Sequence, residues 1–356
     1  IVGNMEGSTV QNAENSGDVT ATGYDEETYT FHTNHYTEHT TQDRTVQVAN
    51  IGGIAGNVSA STLQDVTNSG DVHSNQQAGK DFYDAGNVGG IVGKAVDTNI
   101  KNAINRENDI RGAHNVGGVV GYFGSSNDSS GISYTVQSSA NNGGDIMATG
   151  ARNGQEYVKE LIRFGDQGGE ENIIGNMGGV VGYLDGDNVY IKAGANRGTV
   201  HSLDITDGAN VSDASKAANT GGIVGKIDRN KTASLDELKN GTKQAAVSDS
   251  YNTGDVRGYM GVGGVAGMMY NGEITGSYNL GTINTTRRTG DVADAATKRV
   301  SVNMGGIVGD TTEQTSAHVV LYDVYNKGQI GDETYTFYAR HVGGIVGRLS
   351  GYVDKA

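Results

Sequence analysis

The sequence predicts an all-β protein whose chain coils into a parallel β-helix, or β-solenoid. Three observations support this prediction: a short repeat runs through the chain, the repeat is too rich in Gly for helices, and the 356 residues contain no Pro. Proline cannot donate a hydrogen bond to a central ladder, and nearly every strand of such a coil has a neighbour on both sides. A complete absence of Pro is therefore expected of this fold.

The repeat consists of two short boxes. The Gly box has two Gly, then Ile or Val, then Val or Ala, and a final Gly. Its eight copies begin at Gly52, Gly89, Gly117, Gly178, Gly221, Gly263, Gly305 and Gly343. The Asn box has the pattern N-x-G-[DTQ]-[VI], with clean copies that begin at Asn15, Asn68, Asn196, Asn252, Asn279 and Asn326. A copy with one extra Gly begins at Asn142, and a stretched copy begins at Asn105.

The shortest repeat units favour three short strands per turn of the coil. Residues 89–116 and 252–278 are units of 28 and 27 residues, whereas a propeller blade needs about 40. The Gly box, a segment such as NGEITGSYN and a segment such as GTINT are the three expected strands. We expect eight to nine such rungs. The Asn box suits a corner with a positive φ, and its stacked Asn side chains can form an amide ladder.

Residues 1–356 are expected to form a single solenoid, and both ends fall inside the repeat, which suggests a section of a longer array. The main insertions are predicted at residues 20–50, 147–176, 201–219, 226–249 and 284–303. Two of them have helical features. Tyr157, Leu161 and Phe164 share a face in the second insertion. Ser234 and Glu237 have the spacing of a capping box in the fourth.

The paired boxes, as in VGGIVGKAVDTNIKNAINRENDI and VGGVAGMMYNGEITGSYNLGTI, resemble the GLUG repeat of large bacterial surface proteins. The resemblance covers nearly the whole chain outside the insertions. It implies an extracellular location, at the bacterial cell surface or secreted, in proteins that are typically adhesin-like. The same repeat lies upstream of the catalytic domain in some immunoglobulin A-cleaving metallopeptidases. The repeat itself carries no known chemistry.

The charge of the chain argues against two classes of partner. Asp and Glu number 41 against 26 Lys and Arg, so the net charge is −15. Nucleic acids and anionic membrane surfaces require clustered Lys and Arg. No apolar run approaches the roughly 18 residues that a membrane span requires. We therefore expect neither nucleic-acid binding nor membrane insertion.

Two segments are candidates for metal binding. HYTEH, residues 35–39, matches an inverted zinc-protease motif, but that motif needs a helix, and the surrounding Thr- and Tyr-rich sequence favours a hairpin. We expect a solvated loop there, and the alternative is adventitious metal capture by His32, His35 and His39. The second candidate is a column of aspartates at one repeat position, expected to point outward and at most to bind calcium weakly: Asp18, Asp71, Asp109 and Asp145.

These observations predict a non-enzymatic extracellular repeat region that acts as a stiff spacer and display scaffold in adhesion. The expected partners are a protein or glycan on a host or neighbouring cell, bound through the inserted loops, and adjacent repeats of the parent chain. No cofactor is expected apart from calcium. One alternative is an accessory solenoid region of a large extracellular protease. The other is a carbohydrate-active β-helix enzyme, which paired carboxylates with a basic residue in a cleft would favour.

Overall fold

The chain forms a parallel β-helix in the computed structural model. The structure describes residues 1–21, 25–34, 39–48, 50–74, 86–112, 114–148, 175–202, 218–258, 261–285, 303–311, 318–331, 339, 341–349 and 352–354. The described chain makes nine turns, or rungs, whose strands stack in parallel from one rung to the next. This confirms the predicted fold class and the predicted eight to nine rungs.

One rung passes through four sheets in a fixed order. In the third rung these are Asn87–Gly89 in the first sheet, Val92–Val96 in the second, Asn99–Arg106 in the third and Asp109–Gly112 in the fourth. The chain then returns to the first sheet and begins the next rung. The corresponding strands of all rungs pair in parallel register.

The four sheets contain eight, nine, fifteen and seven strands. The first sheet contains Asn50–Gly52, Asn87–Gly89, Asn115–Gly117, Gly175–Gly178, Ala218–Gly221, Gly261–Gly263, Asn303–Gly305 and His341–Gly343. The second contains Val2–Glu6, Ala55–Ser59, Val92–Val96, Val120–Gly124, Val181–Asp185, Val224–Asp228, Ala266–Met269, Val308–Thr311 and Val346–Arg348.

The third and fourth sheets form the other side of the coil. The third contains Thr9–Gln11, Glu14–Asn15, Thr62–Asn68, Asn99–Arg106, Tyr134–Gln137, Ala140–Asn142, Val189–Lys192, Ala195–Asn196, Val247–Ser248, Tyr251–Asn252, Gly272–Thr275, Tyr278–Asn279, His318–Tyr322, Tyr325–Asn326 and Tyr352–Asp354. The fourth contains Val19–Ala21, Val72–Ser74, Asp109–Gly112, Asp145–Ala148, Val200–His201, Val256–Gly258 and Ile283–Thr285. A separate antiparallel hairpin pairs Asp25–Asn34 with His39–Val48, and within the described residues a helix spans Leu235–Lys239.

The rung has four strand positions where the sequence predicts three. The difference lies in the Gly box, which was expected to be one strand and is divided by a bend after its first Gly. The reason is the second Gly, which faces an Asn side chain across the inside of the coil. At Gly90, a Cβ would lie 2.4 Å from Oδ1 of Asn105.

That contact divides the interior into two apolar regions. The larger one lies between the second and third sheets and includes Ile91, Phe123 and Ile191. Smaller clusters, such as the one around Val88 and Ile110, lie between the first and fourth sheets. Each rung thus contributes apolar side chains to both regions, on either side of a polar partition.

The partition is an unbroken ladder of Asn side chains. Its members are Asn15, Asn68, Asn105, Asn141, Asn196, Asn252, Asn279 and Asn326. Each Nδ2 donates to Oδ1 of the next rung's Asn, over 2.7–3.2 Å. The predicted amide ladder is confirmed. In the fourth rung its member is Asn141 rather than Asn142, because the extra Gly143 is accommodated in the corner at a φ of 91°.

A second Asn ladder, which the repeat pattern did not predict, lies in the first sheet. Its members are Asn50, Asn87, Asn115, Asn176 and Asn219. Here Nδ2 donates to the preceding rung over 2.7–2.9 Å, so the amide dipoles oppose those of the first ladder. The ladder ends at Asn219, whose buried Oδ1 has no hydrogen-bond partner among the described residues. Gly261 occupies the next position, because Thr220 pairs with Val262.

The positive-φ corner is not where the sequence predicts it. A column of residues with φ of 50–55° lies within the third sheet: Asn12, Asp65, Asn102, Ser138, Ala193, Asp249, Gly276 and Asp323. The glycines in the clean Asn boxes do not have positive φ. They are required by close approach, since a Cβ at Gly254 would lie 1.9 Å from the carbonyl oxygen of Gly198.

Substitution of Gly90 by Val is expected to destabilise the coil. A Cβ at this position would lie 2.3 Å from the carbonyl oxygen of Gly118, so the two rungs would have to separate. We expect the free energy of unfolding to fall by at least about 1–3 kcal/mol in chemical denaturation. Gly344→Val, at the same box position in the last rung, is the control, because a Cβ there meets nothing within 4 Å. Equal losses in both variants would contradict the explanation by close packing.

Substitution of Asn252 by Ala should break the first ladder at its centre. It removes the acceptor of Asn196 and the donor to Asn279, both at 2.7 Å. Because these amides are buried, we expect a loss of about 1–3 kcal/mol in the free energy of unfolding. Asn15→Ala, at the half-buried end of the ladder, breaks one ladder bond and should cost less. Urea denaturation of both variants measures the difference, and similar losses would show that ladder position is unimportant.

Candidate functional site

The predicted aspartate column exists on the outer side of the fourth sheet. Asp109 pairs in register with Asp145. The backbone N–H of Asp71 donates to Oδ1 of Asp18 at 3.0 Å, and that of Asp109 donates to Oδ1 of Asp71 at 2.9 Å. The carboxylates of Asp18 and Asp71 therefore link successive rungs as hydrogen-bond acceptors, which is a structural reason for Asp at these two positions. Calcium binding by the column stays a prediction.

The imidazole of His73 lies beside two aspartates of this column, Asp71 and Asp109. One oxygen each of Asp71 and Asp109 and one ring nitrogen of His73 lie within 4.8 Å of one another, the distances expected of potential metal ligands. His73 lies on the strand Val72–Ser74, which begins directly after Asp71, and it pairs with Arg111 of the next rung. The repeat pattern does not predict a role for His73, whose only local signal is its D-x-H spacing from Asp71.

The described residues on either side of the HYTEH segment form an antiparallel hairpin. His32 belongs to the strand Asp25–Asn34, and His39 begins the antiparallel strand His39–Val48, as the Thr- and Tyr-rich sequence predicts. His35 and Glu38 lie outside the described residues. The inverted zinc-protease motif requires both histidines on one helical face. The described residues around the motif are strands, so they do not supply that helix.

A carboxylate cluster lies where neighbouring strands of the second sheet end, at Asp185 and Asp228. Asp185 and Asp228 pair in register, and Nζ of Lys226 is 2.8 Å from Oδ2 of Asp228. The hydroxyl of Tyr122 donates to Oδ2 of Asp185 at 2.6 Å, and that of Tyr183 donates to Oδ2 of Asp228 at 3.1 Å. The residues come from three rungs, so their approach was not visible in the sequence.

Burial changes the pKa of two groups in this cluster, Asp185 and Tyr183. It raises the pKa of Asp185, an effect that the hydrogen bond from Tyr122 opposes and the charge of Asp228 reinforces. Burial also raises the pKa of Tyr183 well above its ordinary value, with further contributions from both carboxylates. Tyr183 is therefore a hydroxyl donor at neutral pH, and Asp185 takes up a proton more readily than an exposed aspartate.

An inserted segment, residues 229–246, is fixed to the outer side of the third sheet. It contains the helix Leu235–Lys239, and the backbone N–H of Ser234 donates to Oε2 of Glu237 at 2.8 Å. The reciprocal bond, from the backbone N–H of Glu237 to Oγ of Ser234, is also present, so the predicted capping box is confirmed. The predicted helix around Tyr157 lies outside the described residues.

Glu273 holds both ends of this segment. It forms a buried ion pair with Arg229, with Nη1 and Oε2 2.8 Å apart and side chains 5% and 1% exposed. Its carboxylate also accepts the backbone N–H groups of Ala233 and Ala246. Burial raises the pKa of Glu273, and the attraction of Arg229 opposes this without cancelling it. The pair therefore positions the segment at a cost in desolvation, as is common for buried ion pairs.

Three tyrosines stack along the third sheet near the C-terminal end. Tyr251, Tyr278 and Tyr325 have centroids 5.4 and 4.8 Å apart and interplanar angles of 11° and 4°. The guanidinium of Arg197 lies 5.3 Å from the centroid of Tyr251. Because the rings cover one another's faces, the stack joins neighbouring rungs and is not an open platform for a sugar ring.

Comparisons with models of protein families, with curated proteins and with solved structures find no match for this chain. Among the described residues, no helix has the length and apolar character needed to cross a membrane.

Substitution of Glu273 by Ala is expected to be strongly destabilising, because it leaves the guanidinium of Arg229 buried without a carboxylate. Breaking a buried pair in this way costs about 3–5 kcal/mol in the free energy of unfolding. The double variant Arg229→Met/Glu273→Leu removes both charges and should recover most of that loss. Thermal and urea denaturation of both variants test this. A double variant no more stable than Glu273→Ala would show that the hydrogen bonds to Ala233 and Ala246 dominate.

Proposed function

We propose that this chain is a non-enzymatic, extracellular region of a bacterial surface or secreted protein that holds loops in place for adhesion. The observation that carries this proposal is the position of the variable segments. Five of them connect the fourth sheet of one rung with the first sheet of the next: residues 22–49, 75–85, 149–174, 203–217 and 286–302. The described strands that flank them stack in register, so the points at which the five segments begin and end lie along a single edge of the coil.

The rest of the rung has the properties of a stiff support. Neighbouring rungs are joined by four parallel sheets and two Asn ladders, and the apolar interior runs from rung to rung. In a solenoid each repeat contacts its neighbours, and the stacked surface presents its inserted loops in a row. Such a support keeps several loops at fixed distances from one another.

The proposed location and partner rest on the sequence. The resemblance of the two boxes to the GLUG repeat supports a cell-surface or secreted protein. The net charge of −15 favours a partner that is neither nucleic acid nor anionic membrane. We therefore propose a protein or glycan of a host or neighbouring cell as the ligand of the loops.

The chain itself provides the design for a test. Between the sixth and seventh rungs, only two residues, 259–260, connect the fourth sheet to the first sheet. Residues 286–302, which make the equivalent connection one rung later, can therefore be replaced by the same two residues, Tyr-Met. We expect the far-ultraviolet β signal and the melting temperature to stay nearly unchanged, because loop length has little effect on stability. Binding of labelled protein to a panel of cells should fall when this loop and residues 149–174 are both shortened.

Two outcomes would contradict the proposal. Loss of folding in the shortened variants would show that the loops belong to the core. If the unsubstituted chain cleaved a polysaccharide and Asp185→Asn abolished that cleavage, the carbohydrate-active alternative would be favoured. The carboxylate cluster with its basic Lys226 is the observation on which that second candidate rests.

A further inference from the structure

The outer side of the fourth sheet carries two parallel columns of side chains. One is the aspartate column, and the other lies two residues further along each strand. In the first four rungs the second column consists of Thr20, His73, Arg111 and Met147. His73 therefore lies beside Asp71, which directly precedes its strand, and next to the strand that bears Asp109. This is the one group of three or more potential metal ligands among the described residues.

The donor atoms of this group are close enough to share one ion. An oxygen of each carboxylate and a ring nitrogen of His73 lie within 4.8 Å of one another. Ligand atoms at about 2.0–2.2 Å from a common metal are separated by about 3–4 Å. Side-chain rotations are sufficient to close the remaining distance, because all three residues are half-buried rather than packed in the core.

The imidazole supplies an independent observation. Nε2 of His73 is buried and has no hydrogen-bond partner among the described residues. A buried ring nitrogen without a partner is unfavourable, and native structures rarely leave one. A metal ion bound by the imidazole, or a water held by that ion, would remove this deficit.

The two carboxylates are already oriented by the fold. Oδ1 of Asp71 accepts the backbone N–H of Asp109 at 2.9 Å, and Oδ2 of Asp109 is 2.7 Å from Nη2 of Arg111. The other oxygen of each carboxylate has no hydrogen bond within the described residues. Outer contacts of this kind hold metal ligands in position. Arg111 also places a positive charge beside the group, so both carboxylates are needed to attract a dication.

We infer that Asp71, His73 and Asp109 bind a transition-metal dication of the Zn²⁺ class between the second and third rungs. Imidazole is a preferred ligand of Zn²⁺, Ni²⁺ and Cu²⁺, whereas Ca²⁺ takes six to eight oxygen ligands. Three protein ligands leave the remaining coordination positions to water. The ion joins adjacent rungs by side chains and adds to the hydrogen bonds of the sheet. This site is distinct from the predicted calcium column, because it requires His73.

The probes are ZnCl₂ and CoCl₂, added to the full chain in calcium-free buffer and followed by calorimetry, by the visible absorption of bound Co²⁺ and by thermal melting. The background is His32→Gln/His35→Gln/His39→Gln, which removes the other predicted metal-binding histidines. We expect one saturable site and a melting temperature that rises with metal concentration. Adding His73→Gln should weaken binding by about tenfold or more, since even the loss of an outer-shell partner costs roughly 10–100-fold.

His201→Gln is the matched control. His201 takes the same outward position three rungs further along the fourth sheet, where Thr199 stands in place of the aspartate. This variant should keep the metal-dependent rise in melting temperature, and Asp71→Asn should lose it. Three results would overturn the inference: no saturable binding in the background chain, binding unchanged by His73→Gln, or an equal response to CaCl₂ in every variant.

Discussion

The close contact between the second Gly of every Gly box except the last and the Asn side chain of the same rung determines the cross-section of the coil. At Gly53, a Cβ would lie 2.3 Å from Cγ of Asn68, and the corresponding contact repeats at Gly90, Gly118 and Gly306. The chain must bend at this Gly so that the Asn can reach it. The bend creates the fourth strand position and separates the two apolar regions. The two boxes of the repeat are therefore physical partners across the interior.

Buried amides are stable here because the repeat satisfies them along the axis. Each internal member of the first ladder accepts from one neighbouring rung and donates to the other, and the spacing of parallel strands brings the amides into range. A single Asn in an apolar core would lack those partners. Arg229 and Glu273 form a different type of buried polar contact, because they join an insertion to one rung and repeat nowhere along the described coil.

The functional proposals follow from the same division of the rung. The sheets require Gly, Asn and apolar residues at fixed positions, which leaves little freedom for chemistry inside the coil. The residue type can vary at the outward-facing positions of the strands and in the segments that connect them. The outward positions of the fourth sheet bring Asp71, His73 and Asp109 together, and those of the second sheet bring Asp185 and Asp228 together. The connections from the fourth to the first sheet hold the longest variable segments.

The sequence alone determined the fold class, the number of rungs, the first Asn ladder, the stacking of the aspartate column and the capping box at Ser234. Each of these depends on a local pattern or on one residue recurring at the same repeat position. Only the tertiary structure decided the fourth strand position, the contacts of Glu273, the carboxylate cluster and the meeting of His73 with Asp109. Asp71 and Asp109 are 38 residues apart, and Tyr122 and Asp185 are 63 apart. Such distances change with every insertion, so side chains from different rungs can be paired only when the register of the stacked strands is known.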